Sequence, residues 1–298
     1  MEPNILTIDQ LSKRYGKIKA LDKLSLKVER GNIYGILGPN GSGKTTTLGI
    51  ILSILNQDNG RFSWFGKEPS KHDRLNIGAI VETPVFYPYL SAVQNLKIYP
   101  DIRRVPYNDI NRVLEIVELT QRKNSRFNTY SLGMKQRLAI AAALLGKPKV
   151  LILDEPTNGL DPQGIAEIRN LIIKIANEGI TIILASHLLD EVQKICTHVA
   201  VLEKGKNIYT GKVEDVLNES STVEVKCDDM GKLSLVLEEL PEVLSFRKEG
   251  NKLITHLQDG VSSSKLNELL YIKGISVSHL AQQQKSLEKH FLELLGKS

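Results

Sequence analysis

Eight consecutive residues, Gly38-Pro39-Asn40-Gly41-Ser42-Gly43-Lys44-Thr45, fit the spacing G-x-x-x-x-G-K-[ST]. Those residue types suit a chain of phosphates. The glycines let the backbone curl so that successive N–H groups face phosphate oxygens. The Lys44 ammonium can reach the β- and γ-phosphates, and the Thr45 hydroxyl can ligate Mg²⁺. Thr46 opens the helix that follows, whose N-terminus favours an anion. A second group lies downstream, where the apolar run Leu151-Ile152-Leu153 ends in Asp154 and Glu155. Asp154 can hold Mg²⁺ through its water shell, and Glu155 stands where a water-orienting base is wanted. Together these residues predict that the chain binds a nucleoside triphosphate.

Such groups need a scaffold, and the periodicity supplies one. Asn32–Leu37, Val150–Leu153 and Ile180–Ala185 are near-continuous apolar runs alternating with helical patterns, which predicts buried strands of a parallel α/β core. The segments Ile5–Ile8 and Leu24–Val28 alternate apolar and polar residues and read as antiparallel strands. From about Thr83 to Pro148 the period is helical, which predicts a helical subdomain. Composition shifts at Asn218-Glu219-Ser220-Ser221, so the expected domains are 1–220 and 221–298. The second part reads β-α-β-β-α-β, a ferredoxin-like order, with a final helix over Leu287–Leu295. No chemical motif is legible in it.

The chain has 298 residues, 41% of them hydrophobic, and a formal charge of +5. That length suggests about two domains. The charge forms no long run, so nucleic acid is not an expected partner. The two cysteines, Cys196 and Cys227, lie far apart with no C-x-x-C spacing and read as thiols in a reducing compartment. The N-terminal residues lack the pattern of a signal peptide. No apolar run approaches the roughly 18 residues of a membrane helix.

Further residues in fixed order give the sequence a family resemblance. Tyr15 precedes the phosphate loop; Tyr130-Ser131-Leu132-Gly133-Met134 precedes the Asp154 strand; Asn158-Gly159-Leu160-Asp161 follows it. His187 ends an apolar strand, and Glu82 follows Ile77–Val81. With the two motifs above, this set resembles the ATPase subunit of an ATP-binding cassette (ABC) transporter over roughly Ile5–Asn218. The resemblance implies a P-loop cassette fold, with ATP and Mg²⁺ as cofactors. It implies that Tyr15 stacks on adenine, that His187 is the switch histidine and that Glu82 occupies the Q-loop position. It also implies that Asp161, in the D-loop position, takes part in nucleotide binding and that Ser131 and Gly133 meet nucleotide held by a second cassette, so the protein would work as a homodimer or with a sister ATPase subunit.

Two departures narrow the branch. The usual L-S-G-G-Q signature reads Y-S-L-G-M here, with Leu132 in place of a glycine and Met134 in place of an amide. Glu82 replaces the Q-loop glutamine and adds charge near Glu155. At about 4 Å and an effective dielectric near 20, that repulsion is about 4 kcal/mol, so Mg²⁺ ligation or protonation of Glu82 must offset it. Both departures resemble the bacitracin-resistance and lantibiotic-immunity branch. The implied role is the motor of an exporter, peripheral at the cytoplasmic face of the cell membrane, with antimicrobial peptides as the implied cargo. Residues 83–96, with Phe86, Tyr87 and Tyr89, are the expected dock for a separate permease. The alternatives are a soluble cassette ATPase acting on ribosomes or DNA, the motor of an unrelated exporter, and a signal-reading role for the C-terminal domain.

Overall fold

The computed structural model describes residues 4–70, 72–81, 85–103, 106–218, 222–258, 260–282, 287, 288, 291 and 296. The chain forms two compact units, Met1–Lys212 and Val213–Ser298.

The first unit holds two sheets. One is antiparallel, in the order β2-β1-β4, from β1 (Asn4–Tyr15), β2 (Ile18–Glu29) and β4 (Asn59–Trp64). The other is built on β3 (Ile33–Leu37), β5 (Ile77–Ile80), β6 (Val150–Asp154), β7 (Thr181–Ser186), β8 (His198–Glu203) and β9 (Lys206–Lys212). Its order is β5-β6-β7-β3-β8-β9. Every pairing is parallel except β8 with β9. The expected parallel core is therefore present, with one antiparallel edge strand. The β8–β9 hairpin was not anticipated, although Val199–Leu202 followed by Lys204-Gly205 carries the signal of a strand and a turn.

The strands β3, β6 and β7 are buried at every residue, which explains their unbroken apolar runs. Helix α1 (Lys44–Ile51) lies between the sheets, and Leu48, Ile50 and Ile51 share one core with Ile36 and Ile152 on one side and Leu6, Leu24 and Trp64 on the other. Each such fully buried side chain stabilises the fold by about 1.5–3 kcal/mol. The Trp64 indole N–H donates to the Ile51 carbonyl at 2.8 Å, so its polar atom is satisfied in the core.

Helices α2 (Ala92–Arg103), α3 (Asp109–Ile116) and α4 (Leu132–Leu144) fill the segment of helical period. Gly78 admits the closest approach of α4 to the sheet: a Cβ there would lie 2.1 Å from the Ala143 carbonyl oxygen. Helices α5 (Pro162–Asn177) and α6 (Leu189–Ile195) are the remaining crossovers.

The second unit begins with α7 (Val213–Asn218), ahead of the composition shift. Then come β10 (Thr222–Cys227), α8 (Met230–Glu239), β11 (Val243–Glu249), β12 (Lys252–Leu257), α9 (Ser263–Ile272) and β13 (Val277–Gln282). The strands form an antiparallel sheet ordered β11-β12-β10-β13, a split βαβ arrangement. Leu233 and Leu237 of α8 and Leu266 and Leu270 of α9 are buried against Val223, Val225, Leu253 and Leu257. The last strand lies further along the chain than the Ile275–Val277 reading, because Gly274, at φ 71, ends α9 and Ile275 is taken into the core. Of the helix expected over 287–295, residues 287, 288 and 291 are described and helical; the others lie outside the described residues.

Candidate active site

Parallel strands put the loops at their C-terminal ends on one edge of the sheet, where open α/β sheets bind ligands. Here β6, β7 and β3 are neighbours in that order. The glycine-rich loop follows β3, His187 follows β7, and Glu155 follows β6. Residues separated by more than a hundred positions in sequence thus share one rim.

The loop geometry explains its composition. Gly43 sits at φ 107, and a Cβ there would lie 2.7 Å from the Ala20 carbonyl and 2.8 Å from Leu21 Cδ2. Gly38 is equally confined, since a Cβ would lie 2.4 Å from both the Leu202 carbonyl and Ser42 Oγ. The Ser42 hydroxyl is buried and has no hydrogen-bond partner among the described residues. Lys44 is 7% exposed, and a charge so buried needs partners. Its ammonium donates to the Gly38 carbonyl at 2.8 Å and the Pro39 carbonyl at 3.4 Å, and it lies 3.8 Å from Glu155 Oε1. One residue on, the Thr45 hydroxyl donates to Asp154 Oδ2 at 3.2 Å.

Glu155 has φ 47, a left-handed conformation that costs a residue with a Cβ about 1–3 kcal/mol. Its N–H donates to the Ala185 carbonyl of β7 at 2.9 Å. Its carboxylate is held by His187 from two directions: the His187 ring Nδ1 at 2.9 Å and the His187 backbone N–H at 3.3 Å, both on Oε2. An ionised carboxylate only accepts, so the tautomer that fits places the proton on Nδ1.

A cleft of about 730 Å³ opens over these groups. It is lined by Tyr15, Asn40, Gly41, Gly43, Lys44, Thr45 and Thr46 together with Asp154 and Glu155. Tyr15 is half exposed at the end of β1, with the Lys13 ammonium 5.6 Å from its ring centroid. A wider groove of about 1050 Å³ crosses the antiparallel sheet near Thr7, Lys27 and Arg61, but it holds none of the motif residues.

Three expected residues are placed elsewhere. Ser131 caps α4, accepting from Met134 N–H at 3.2 Å; Asp161 caps α5, accepting from Gly164 N–H at 2.8 Å. Gly133 lies in the first turn of α4. None of the three lines this cleft, although their neighbour Leu132 does, half exposed. Glu82, Thr83 and Pro84 lie outside the described residues.

The aromatic loop departs from expectation in one respect. Tyr87 and Tyr89 are exposed, but Phe86 is 7% exposed and packs on Phe127 and Tyr99, so it is a core residue. Sequence reasoning also missed Asn95, buried on α2 and bonded to the loop backbone. A signal was available: Ser91 and Gln94 form a capping box, with Ser91 N–H donating to Gln94 Oε1 at 2.8 Å and Gln94 N–H to Ser91 Oγ at 3.2 Å. That box fixes the helix start and with it which side of α2 faces the loop.

Comparison with known proteins identifies the family. The ABC transporter family matches residues 21–158. The bacitracin transport ATP-binding protein BcrA of Bacillus licheniformis is 38% identical over 298 residues, covering 98% of this chain and 97% of that protein. The lantibiotic transport ATP-binding protein SrtF of Streptococcus pyogenes is 40% identical over 204 residues, covering 68% of this chain and 89% of its own length. Among solved structures, cbiO1 of Clostridium perfringens, part of the transporter complex cbiONQ, has a TM-score of 0.67 at 33% identity and covers 73% of this chain and 92% of its own. These relatives do not favour a cassette acting on ribosomes or DNA. With the nucleotide motifs gathered on one strand edge and relatives matching almost end to end, the chain belongs to the ABC transporter family, as an ATP-binding and ATP-hydrolysing motor subunit.

Proposed function

We propose that this cassette drives export of antimicrobial peptides of the bacitracin and lantibiotic kind through a separate membrane subunit. The observation that carries the chemistry is the meeting of Lys44, Glu155 and His187 beside the Thr45–Asp154 pair. Lys44 turns from the Gly38 and Pro39 carbonyls to the β- and γ-phosphates. Glu155, held by His187, orients the attacking water and accepts its proton. Tyr15 offers a flat face for adenine.

The donor set fits Mg²⁺: a hydroxyl and a carboxylate within 3.2 Å of each other, in a site that leaves room for phosphate oxygens and water. Bound there, Mg²⁺ would neutralise charge on the β- and γ-oxygens. The buried, unpartnered Ser42 hydroxyl is a further polar atom in the phosphate cradle.

Ser131 and Gly133 sit at the positive end of α4 and are not among the residues lining the cleft over the phosphate loop. A second copy, or a sister cassette, would bring that end to the γ-phosphate, so that ATP closes the dimer and hydrolysis releases it. Among the described residues no helix is long and apolar enough to cross a membrane. In this proposal the permease is a separate subunit. Its dock lies on the exposed Tyr87 and Tyr89.

The test is Glu155→Gln. It should bind Mg·ATP, lower kcat by about 10²–10⁴-fold as loss of a general base does, and accumulate as a dimer of doubled mass. Wild-type turnover in that variant removes Glu155 from the role. Peptide cargo is tested by expressing the chain with its permease in sensitive cells: higher tolerance of bacitracin or a lantibiotic, lost with Lys44→Ala, is the expected result.

A further inference from the structure

Tyr15 is held at the rim of the nucleotide cleft by a carboxylate from just ahead of another strand. It is the last residue of β1, half exposed, and it pairs across the β1–β2 turn with the exposed Ile18. Both side chains line the cleft that opens over the phosphate loop. The strand leading to Tyr15 is irregular: its pairing with β2 shifts register between Leu11 and Lys13 and again between Lys13 and Arg14. Such irregularities re-aim side chains and interrupt the ladder of backbone bonds. Asp58, the residue before β4, supplies bonds in their place. Its Oδ2 accepts from the Arg14 N–H at 2.6 Å, its Oδ1 accepts from the Lys13 ammonium at 2.9 Å, and its own N–H donates to the Ser12 carbonyl at 2.9 Å. One residue thus grips all three positions ahead of Tyr15.

The same clamp sets the Lys13 ammonium over the Tyr15 ring, 5.6 Å from its centroid, with the Lys13 side chain only 17% exposed. The Asp58 carboxyl is held below the usual carboxylate pKa, first by the Lys13 bond and then by the Arg14 N–H, so the pair stays charged. An aromatic ring is negative on its faces and attracts a cation seated on one of them. That cation draws electron density from the ring, and the opposite face becomes a better partner for an electron-rich base. We propose that Lys13 and Asp58 are positioning residues for the nucleotide base. They fix the Tyr15 ring, cover one face with positive charge and leave the other, beside Ile18, to a purine. The platform then selects purine over pyrimidine triphosphates, because a purine lays the larger π face on the ring. The phosphate loop contacts phosphates alone and makes no such distinction. This rests on the reading of Tyr15 as the adenine platform.

The experiment is a set of binding titrations on the full-length protein with Mg·ATP, Mg·CTP and Mg·tripolyphosphate, the last having phosphates but no base. Lys13→Met should raise the Kd for ATP about two- to fivefold, as loss of one cation–π contact does. It should raise the Kd for CTP less and leave tripolyphosphate binding unchanged. Lys13→Arg keeps the cation and should restore ATP binding. In a Tyr15→Ala background, Lys13→Met should have no further effect, because the ring through which it acts is gone. Asp58→Asn should follow Lys13→Met; if it fails to fold, the two Lys13 variants decide the matter alone. A Lys13→Met protein that keeps the wild-type preference for ATP over CTP overturns the inference. So does an equal loss in the Tyr15→Ala background, or an equal loss for tripolyphosphate. If Tyr15→Ala by itself binds ATP as the wild type does, the adenine-platform reading fails and this inference with it, and that single titration separates the two failures.

Discussion

At the residue scale, Lys44 is the most economical test of the site. Its buried ammonium has two carbonyls and one carboxylate as partners, so it is pre-positioned within the loop. Charge-assisted hydrogen bonds contribute about 1.5–3 kcal/mol. Lys44→Ala should therefore weaken ATP binding about ten- to a hundredfold in a nucleotide titration. Asp109 makes a different prediction, about stability. Burial raises its carboxyl pKa, but the Arg112 guanidinium and the Gly146 N–H more than offset this, leaving the pKa below the usual carboxylate value. A depressed folded pKa contributes stability above the unfolded value, near pH 4, and that stability is lost as pH falls through the folded pKa. Asp109→Asn should cost about 1–3 kcal/mol at neutral pH and flatten the acid limb of a melting profile taken between pH 3 and 7. An unchanged acid limb would show that Asp109 contributes nothing.

At the element scale, α4 is tied at both ends. Its start carries the Ser131 cap, and near its end Arg112 of α3 donates to the Leu144 carbonyl at 3.0 Å. Arg137, midway, bonds the Val117 carbonyl and Glu118 after α3 and reaches Glu167 of α5 at 2.9 Å. Its seat on the sheet depends on Gly78, so Gly78→Ala should push α4 from β5 and cost about 1–3 kcal/mol of stability, read by thermal unfolding. The aromatic loop belongs at this scale too. Tyr87→Ala with Tyr89→Ala should keep ATP binding while the protein ceases to co-purify with membranes. Retained co-purification would move the dock elsewhere. Element types were largely legible: β3, β6 and β7 announced themselves by unbroken apolar runs, and α3 by its helical spacing. The β8–β9 hairpin was legible only in its first half: Val199–Leu202 and the Lys204-Gly205 turn carry a signal, but the outer strand, Lys206–Lys212, is mostly half-exposed and carries no apolar alternation.

At the scale of the whole molecule, the chain separates into a cassette and a second unit with its own core of Val223, Val225, Leu233, Leu253 and Leu266. Two cores imply two cooperative units. Leu253→Ala, at a residue 1% exposed, should destabilise the second unit by about 2–5 kcal/mol, while ATP binding by the first is unchanged. Calorimetry should then show one shifted transition and one unshifted. A common shift of both would mean that the units unfold together.

The sequence by itself determined the chemistry of the nucleotide site. A phosphate loop needs glycines where a Cβ would strike backbone, a lysine and a hydroxyl at one spacing, and these local demands leave a legible string from Gly38 to Thr45. Asp154 and Glu155 are legible for the same reason, since an apolar strand that ends in two acids is a short-range pattern. Only the tertiary structure decided what depends on contacts between distant residues. It set β7 between β6 and β3, so that His187 grips Glu155. It turned Phe86 inward onto Phe127 while leaving Tyr87 and Tyr89 outside, although the three look alike in sequence. It gave Asn95 a structural task that its residue type does not announce, because a buried amide is justified only by the carbonyls that the fold brings to it.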